Sequence, residues 1–314
     1  MNTPVAPIIA ATTLTKRFDT VSAIDEVSFT IASGEIFGLV GPDGCGKTTT
    51  MRMLAGVMQP DRGSIVIRGI DVVRNPEAVK PDISYMPQRF GLYEDLTVDE
   101  NINFYADLFE VPPNVREERA RRLLAASEMT HFRAFLAGKL SGGMKQKLGL
   151  TCALVHTPQI LLLDEPTTGV DPVSRRDFWR ILYELREQGV TIIISTAYLD
   201  EAERCNRLAL LHGGRLLYCD TPAALKEKMP GTLLAIISPD GRSARVVIEK
   251  SAGVAQVLLV GDGVHAVVDN PDLRIPQLRA ALQKADVPIS EISIVRPGIE
   301  DVFVALLENG GTGR

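Results

Sequence analysis

Hydrophobic and polar positions fall into blocks of two kinds along the chain. Short apolar runs at 36–40 and 160–163, and the Ile192-Ile193-Ile194 run within 190–195, predict strands buried on both faces of a parallel sheet. Shorter strand-like runs occur at 8–14, 27–31, 63–69 and 83–88, and the pair 208–211 and 216–219, joined across Gly213-Gly214, reads as a closing hairpin. From 99 to 128 the apolar spacing becomes helical, with Pro112-Pro113 breaking it into two segments. Further helices are predicted at 49–54, from Ser141 to about 154, and from Asp171-Pro172 to about 188, where Asp supplies an N-cap and Pro suits the first helical position. A helical insert therefore interrupts an α/β pattern. Beyond about 231 the rhythm changes. Strand-like runs at 233–237, 244–248 and 264–268, a helix at 275–285, a strand at 289–295 and a helix at 300–307 predict a small separate α+β module.

The joint between the run at 36–40 and the next helix carries the first candidate chemistry. Gly41-Pro42-Asp43-Gly44-Cys45-Gly46-Lys47-Thr48 has the spacing of a phosphate-binding loop, with Thr49 following in the helix. Glycines let successive backbone N–H groups curl toward a polyphosphate, and the helix start adds its positive end. Lys47 has the reach for the terminal phosphates, and the Thr48 hydroxyl suits Mg²⁺.

Two later segments complement this loop. Leu140-Ser141-Gly142-Gly143-Met144-Lys145-Gln146 opens a helix, with Ser141 as N-cap and the N–H groups of Gly142 and Gly143 suited to an anion. Ile160-Leu161-Leu162-Leu163-Asp164-Glu165-Pro166 sets two carboxylates at the carboxyl end of a buried strand, where open α/β sheets hold ligands. There Asp164 suits a metal and Glu165 an attacking water. Phe18 is either an adenine platform or a core or edge-strand residue.

Composition narrows the class. The 314 residues carry a net charge of −5, with 45% hydrophobic and 23% charged positions, which gives no electrostatic footprint for nucleic acid. No apolar stretch approaches the length of a bilayer span, and residues 1–11 lack the basic start and apolar core of a signal peptide. Cys45, Cys152, Cys205 and Cys219 show neither metal spacing nor a paired framework. A reduced, cytosolic setting follows, with any membrane association supplied by a partner.

In this order the motifs resemble those of the ATP-binding cassette family, specifically the nucleotide-binding subunit of a transporter, over about residues 8–230. Gly41 to Thr48 is similar to the Walker A loop, Gln88 to the Q-loop glutamine and 140–146 to the signature. The segment 160–165 is similar to Walker B, and Gly169-Val170-Asp171 to the D-loop. The resemblance implies a P-loop NTPase core of α/β class with an antiparallel β subdomain and a helical subdomain (about 89–155), followed by a small C-terminal α+β module at 231–314. It implies ATP and Mg²⁺ as ligands, with Thr48, Gln88 and Asp164 around the metal and Glu165, Lys47 and Gln88 in catalysis. It also implies a head-to-tail dimer, of two identical chains or with a second cassette, in which Ser141, Gly142, Gly143 and Asp171 meet the ATP held by the other protomer. An integral membrane permease would be the partner, at the cytoplasmic face of the membrane, with the apolar segment 89–98 as its docking groove or as packing against the insert. The tail at 297–303 resembles those of drug, polysaccharide and antibiotic exporters. Soluble cassette proteins of translation or DNA repair usually carry two cassettes or a long coiled-coil insert, and this sequence has neither.

Three positions depart from the family. Asp43 stands where Asn is usual, which is tolerable if its carboxylate points away from phosphate. Cys45 stands where a small residue is usual, and the loop's N–H groups and helix dipole predict a lowered thiol pKa and inactivation by thiol reagents. Ala197 occupies the place of the switch histidine. Two readings follow: a slower ATPase that relies on Glu165, or a hydrolysis-poor regulatory cassette working in an asymmetric dimer.

Overall fold

The computed structural model describes residues 6–89, 91–261 and 263–310. It divides into two compact units, 1–221 and 222–314.

In the first unit, β1 (Ile9–Phe18), β2 (Val21–Ile31), β4 (Arg62–Ile67) and β5 (Ile70–Asp71) form an antiparallel sheet in the order β2-β1-β4-β5. The central sheet combines β3 (Ile36–Val40), β6 (Ile83–Met86), β7 (Ile160–Asp164), β8 (Thr191–Thr196), β9 (Arg207–His212) and β10 (Arg215–Asp220) in the order β10-β9-β3-β8-β7-β6. All its pairings are parallel except the β9–β10 hairpin. Both faces of β7 and β8 are buried, and alternate residues serve different cores. Ile160, Leu162 and Ile193 pack with α1 (Lys47–Leu54) and the antiparallel sheet, while Leu161, Leu163, Ile192 and Ile194 pack with Phe178, Trp179 and Leu182 of α5 (Pro172–Glu187). The unbroken apolar runs are the direct consequence of that double burial.

The insert forms a helical layer of α2 (Val98–Leu108), α3 (Pro113–Ala126) and α4 (Gly142–Leu154) around its own core of Val98, Ile102, Leu124, Leu148 and Cys152. Thr97 and Glu100 close a reciprocal capping box at the start of α2. The segment after Gln88 is pinned to α2: Asn101 accepts from the Tyr93 N–H (2.9 Å) and donates to its carbonyl (3.0 Å). Leu92 and Leu96 are half-buried, with Leu92 against the helical core, whereas Tyr93 is exposed and edge-on to Phe104, also exposed. Phe90 lies outside the described residues. A short helix, α6 (Leu199–Ala202), follows β8.

The second unit starts with α7 (Pro222–Glu227), ahead of the 230/231 boundary read from the sequence, and α7 packs against α10 (Ile299–Gly310). Its strands β11 (Thr232–Ile237), β12 (Val254–Val260), β13 (Gly263–Val268) and β14 (Glu291–Ile294) form an antiparallel sheet in the order β12-β13-β11-β14. Helix α8 (Gly241–Glu249) occupies the stretch expected to be a strand at 244–248, and β12 had no counterpart in the sequence reading. The β-branched run Val246-Val247-Ile248 is overridden by a helical frame. Asp240 caps the Ser243 N–H at 3.0 Å, Ala244 and Ile248 bury one face four residues apart, and Arg245 pairs with Glu249 on the exposed flank. Helix α8, through Ala244 and Ile248, and α9 (Pro271–Lys284), through Leu278 and Leu282, share one core with the sheet.

A candidate nucleotide site at the carboxyl ends of the central strands

The loop between β3 and α1 is shaped by two glycines in particular. A Cβ on Gly41 would stand 2.2 Å from the Leu211 carbonyl oxygen. Gly46 has φ of +105°, and its Cβ would stand 2.5 Å from the Ala23 carbonyl oxygen. The second contact also places β2 against the loop. From Gly46 the chain enters α1 with Lys47, whose side chain is only 4% exposed. Its Nζ donates to the carbonyls of Gly41 (2.8 Å) and Pro42 (3.0 Å) and lies 3.1 Å from Glu165 Oε1.

Strand β7 delivers Asp164 and Glu165 beside this lysine. Asp164, buried at the strand's end, accepts hydrogen bonds from Ser195 Oγ (2.6 Å), Thr48 Oγ1 (3.1 Å) and the Tyr85 hydroxyl (3.3 Å). Burial and then the Asp164 charge push the Tyr85 phenol up to about 12, so it remains a donor. Glu165 sits at φ +48°, a left-handed conformation that costs a non-glycine residue about 1–2 kcal/mol. Its N–H donates to Ser195 Oγ at 2.9 Å and lies 3.2 Å from the Ser195 carbonyl oxygen, which holds the chain in that turn. Gln88 Nε2 donates to Glu165 Oε2 at 3.0 Å, and the Thr168 hydroxyl reaches the same oxygen at 3.4 Å.

Lys47, Thr48, Gln88, Asp164 and Glu165 are thus brought together, by elements far apart in sequence. Thr49 lies half-buried within α1. Asp43 projects outward with a side chain 92% exposed, 3.9 Å from Lys47 at nearest approach. Ser195 and Tyr85 were missed as site residues. The parallel register pairs Ser195 with Asp164, and a serine ending the apolar run Ile192-Ile193-Ile194 was the available signal.

Cys45 corrects an expectation. Its thiol is 2% exposed, and burial pushes its pKa up more strongly than the neighbouring Lys47 charge pulls it down. We expect Cys45 to resist alkylation by iodoacetamide at neutral pH in the folded protein and to react fully once denatured. Peptide mapping by mass spectrometry checks this, and rapid labelling of the native chain would contradict it.

The remaining motif residues lie apart from this cluster. Ser141 caps α4 by accepting from the Met144 N–H at 3.3 Å, leaving Ser141 and Gly142 exposed. Gly143 is buried against α5, where an added Cβ would meet Ser174 at 2.5 Å. Asp171 caps α5 by accepting from the N–H groups of Val173 (3.1 Å) and Ser174 (3.0 Å). Among the described residues, no hydrogen bond joins Ser141, Gly142 or Gly143 to the phosphate loop. The Ser174 bond holds the Asp171 carboxyl below the usual range. Its capping contribution is therefore present above the unfolded carboxylate pKa and is lost as pH falls through the lower folded one. Phe18 is 44% exposed near the β1–β2 turn, with Lys16 Nζ 5.7 Å from its ring centre, so it fills no core position.

Ala197 follows β8 with its methyl group exposed. Behind it lies a buried polar cluster that the sequence reading missed. Glu201, fully buried, accepts from Thr167 Oγ1 (2.7 Å) and Thr196 Oγ1 (2.8 Å), with Arg175 Nε 3.7 Å away. Arg175 also stacks over the Tyr198 ring at 4.1 Å.

Comparison with known proteins fits this arrangement. Residues 24–168 match the family model described as ABC transporter. The chain is 44% identical over 313 residues to the probable multidrug ABC transporter ATP-binding protein YbhF of Escherichia coli K12, covering 97% of this chain but 53% of that one, about half its length. It is 36% identical over 306 residues to the Nod factor export ATP-binding protein I of Burkholderia lata, covering 96% of this chain and 97% of the relative. Among solved structures, the dimeric post-hydrolysis state of the ATP-binding cassette MJ0796 bound to ADP and Pi is similar at 25% identity and a TM-score of 0.63, over 68% of this chain and 98% of that one. With a phosphate loop, a paired-carboxylate strand and a capped Ser-Gly-Gly helix in one sheet-and-insert framework, the chain belongs to the ABC transporter ATP-binding protein family, alongside exporter-type relatives.

Proposed function

We propose that this chain binds ATP with Mg²⁺ at the Gly41–Thr48 loop and hydrolyses it to drive export through a separate integral membrane permease. The observation that carries this reading is the convergence of Lys47, Thr48, Gln88, Asp164 and Glu165 at the carboxyl ends of β3 and β7. The donor set fits Mg²⁺: a hydroxyl, a buried carboxylate and a side-chain amide are hard oxygen ligands, and Thr48 is already oriented by Asp164. The cation supplies charge neutralisation of the phosphates. Lys47 holds the terminal phosphates by exchanging its carbonyl partners for phosphate oxygens. That exchange also releases Glu165 Oε1 from its 3.1 Å ion pair, freeing it to accept a proton from the attacking water. Gln88 keeps Glu165 oriented through the bond at 3.0 Å and links the site to the insert that follows it.

Pro42, Asp43, Gly44 and Cys45 contribute backbone groups to the phosphate cradle, and Phe18 offers its exposed face to the adenine. Ser141, Gly142, Gly143 and Asp171 reach the nucleotide of a partner cassette, identical or different, in a head-to-tail dimer. The exposed, capped start of α4 supports this, as does the dimer of the cassette solved with ADP and Pi. The permease meets the segment after Gln88, where Tyr93 and Phe104 leave aromatic surface exposed. Attachment is peripheral, at the cytoplasmic face and through the permease; among the described residues, no helix is long and apolar enough to cross a membrane. The exported compound is read by the permease.

Ala197 favours a second reading, a hydrolysis-poor regulatory cassette, because a methyl group can neither donate a hydrogen bond nor carry a proton. Turnover of the purified chain, of Glu165→Gln and of Ala197→His separates the two. We expect wild-type turnover well above the Glu165→Gln background, and about a tenfold or greater rise in Ala197→His. A wild-type rate equal to that background assigns the chain to the regulatory role.

A further inference from the structure

At the opposite end of the central strands from the phosphate loop, α3 and α4 of the helical insert meet α5 and the starts of β7 and β8 around a cavity of about 590 Å³. That volume falls within the ~300–1,000 Å³ of small-molecule sites. Leu150, Leu154, Ile181 and Leu185 form its floor and belong to the core beneath the sheet, so the cavity opens at the edge of that core. Leu154, Ile181 and Leu185 keep 5–8% of their surface open toward it, where an apolar ligand would add contacts.

The rim is basic although the chain as a whole is acidic. Arg119, Arg121, Arg122 and Lys147 line it, with Glu184 as the acidic side chain among the described lining residues. Arg121 is engaged by Glu118, and Lys147 by Asp177. Among the described residues, neither Arg119 nor Arg122 has an ion-pair partner, and Arg119 donates to the Val155 carbonyl at 3.2 Å. An apolar floor edged by two guanidinium groups without an ion-pair partner among the described residues matches a molecule with an apolar body and one carboxylate, which a guanidinium can engage through two parallel hydrogen bonds. We propose that this cavity binds an amphipathic organic carboxylate of the fatty-acid kind, wedged between the insert and the sheet.

Calorimetric titration of the full chain with dodecanoate, below its micelle concentration, tests the proposal. Saturable binding with one site per chain is expected, and dodecyltrimethylammonium, with the same tail and opposite charge, is expected not to compete. Ala126→Trp, which fills the mouth from an exposed helix position, should weaken binding about tenfold or more. Arg119→Gln combined with Arg122→Gln should do so by a similar factor while the melting curve stays in place. The double variant carries the test alone if the tryptophan disturbs folding. Absence of saturable binding, equal binding of the cationic analogue, or unchanged affinity in the arginine double variant would overturn the assignment.

Discussion

Glu165→Gln is expected to lower ATP turnover by about 10²–10⁴-fold while leaving ATP binding intact. The substitution keeps the shape of a side chain that is only 11% exposed and preserves an acceptor for Gln88. It removes the negative charge beside Lys47 and the carboxylate proposed to take a proton from water. Loss of the 3.1 Å ion pair leaves Lys47 with the Gly41 and Pro42 carbonyls, which a triphosphate can displace. Nucleotide affinity should therefore hold or rise, and ATP should accumulate uncleaved on the protein. Single-turnover measurement with radiolabelled ATP, paired with equilibrium binding, reads both halves. Full turnover in this variant would remove Glu165 from the reaction.

The largest stability effect is expected at Glu201, outside the motifs quoted for the nucleotide site. Glu201→Ala strands the hydroxyls of Thr167 and Thr196 and leaves Arg175 beside a vacated buried site. Breaking a buried charged cluster from one side costs about 3 kcal/mol, which for a unit of this size lowers Tm by roughly 6–12 °C. The same cluster ties the chain after Glu165 to the end of β8, so the position of Ala197 should loosen with it. Glu201→Gln retains volume and one acceptor oxygen and should recover part of the loss. Thermal unfolding followed by circular dichroism gives the comparison, and equal Tm values for wild type and Glu201→Ala would show that the cluster contributes nothing net.

Much of the site was legible because its chemistry is local. A loop that curls around phosphate needs glycines at fixed offsets, and Gly41 and Gly46 stand where any Cβ would strike backbone. A strand buried on both faces has an apolar middle on both, which located β3, β7 and β8. Caps announce themselves through residue type, as Ser141 and Asp171 did. The module after 231 was less legible. Its α8 carries a β-branched run, and only the cap at Asp240 and the sheet it covers settle the conformation.

The chain by itself determined the main strands and helices of the first unit, the phosphate loop and the paired carboxylates, since each follows from backbone sterics or from burial of neighbouring residues in sequence. Tertiary structure alone decided which distant groups meet. Parallel register set Ser195 beside Asp164, packing buried Cys45 so that desolvation overrides the helix dipole, and the turn at Glu165 aimed its carboxylate at Lys47 and Gln88. These depend on distances across the sheet and on local dielectric, quantities that arise only when segments separated by many residues close on one another.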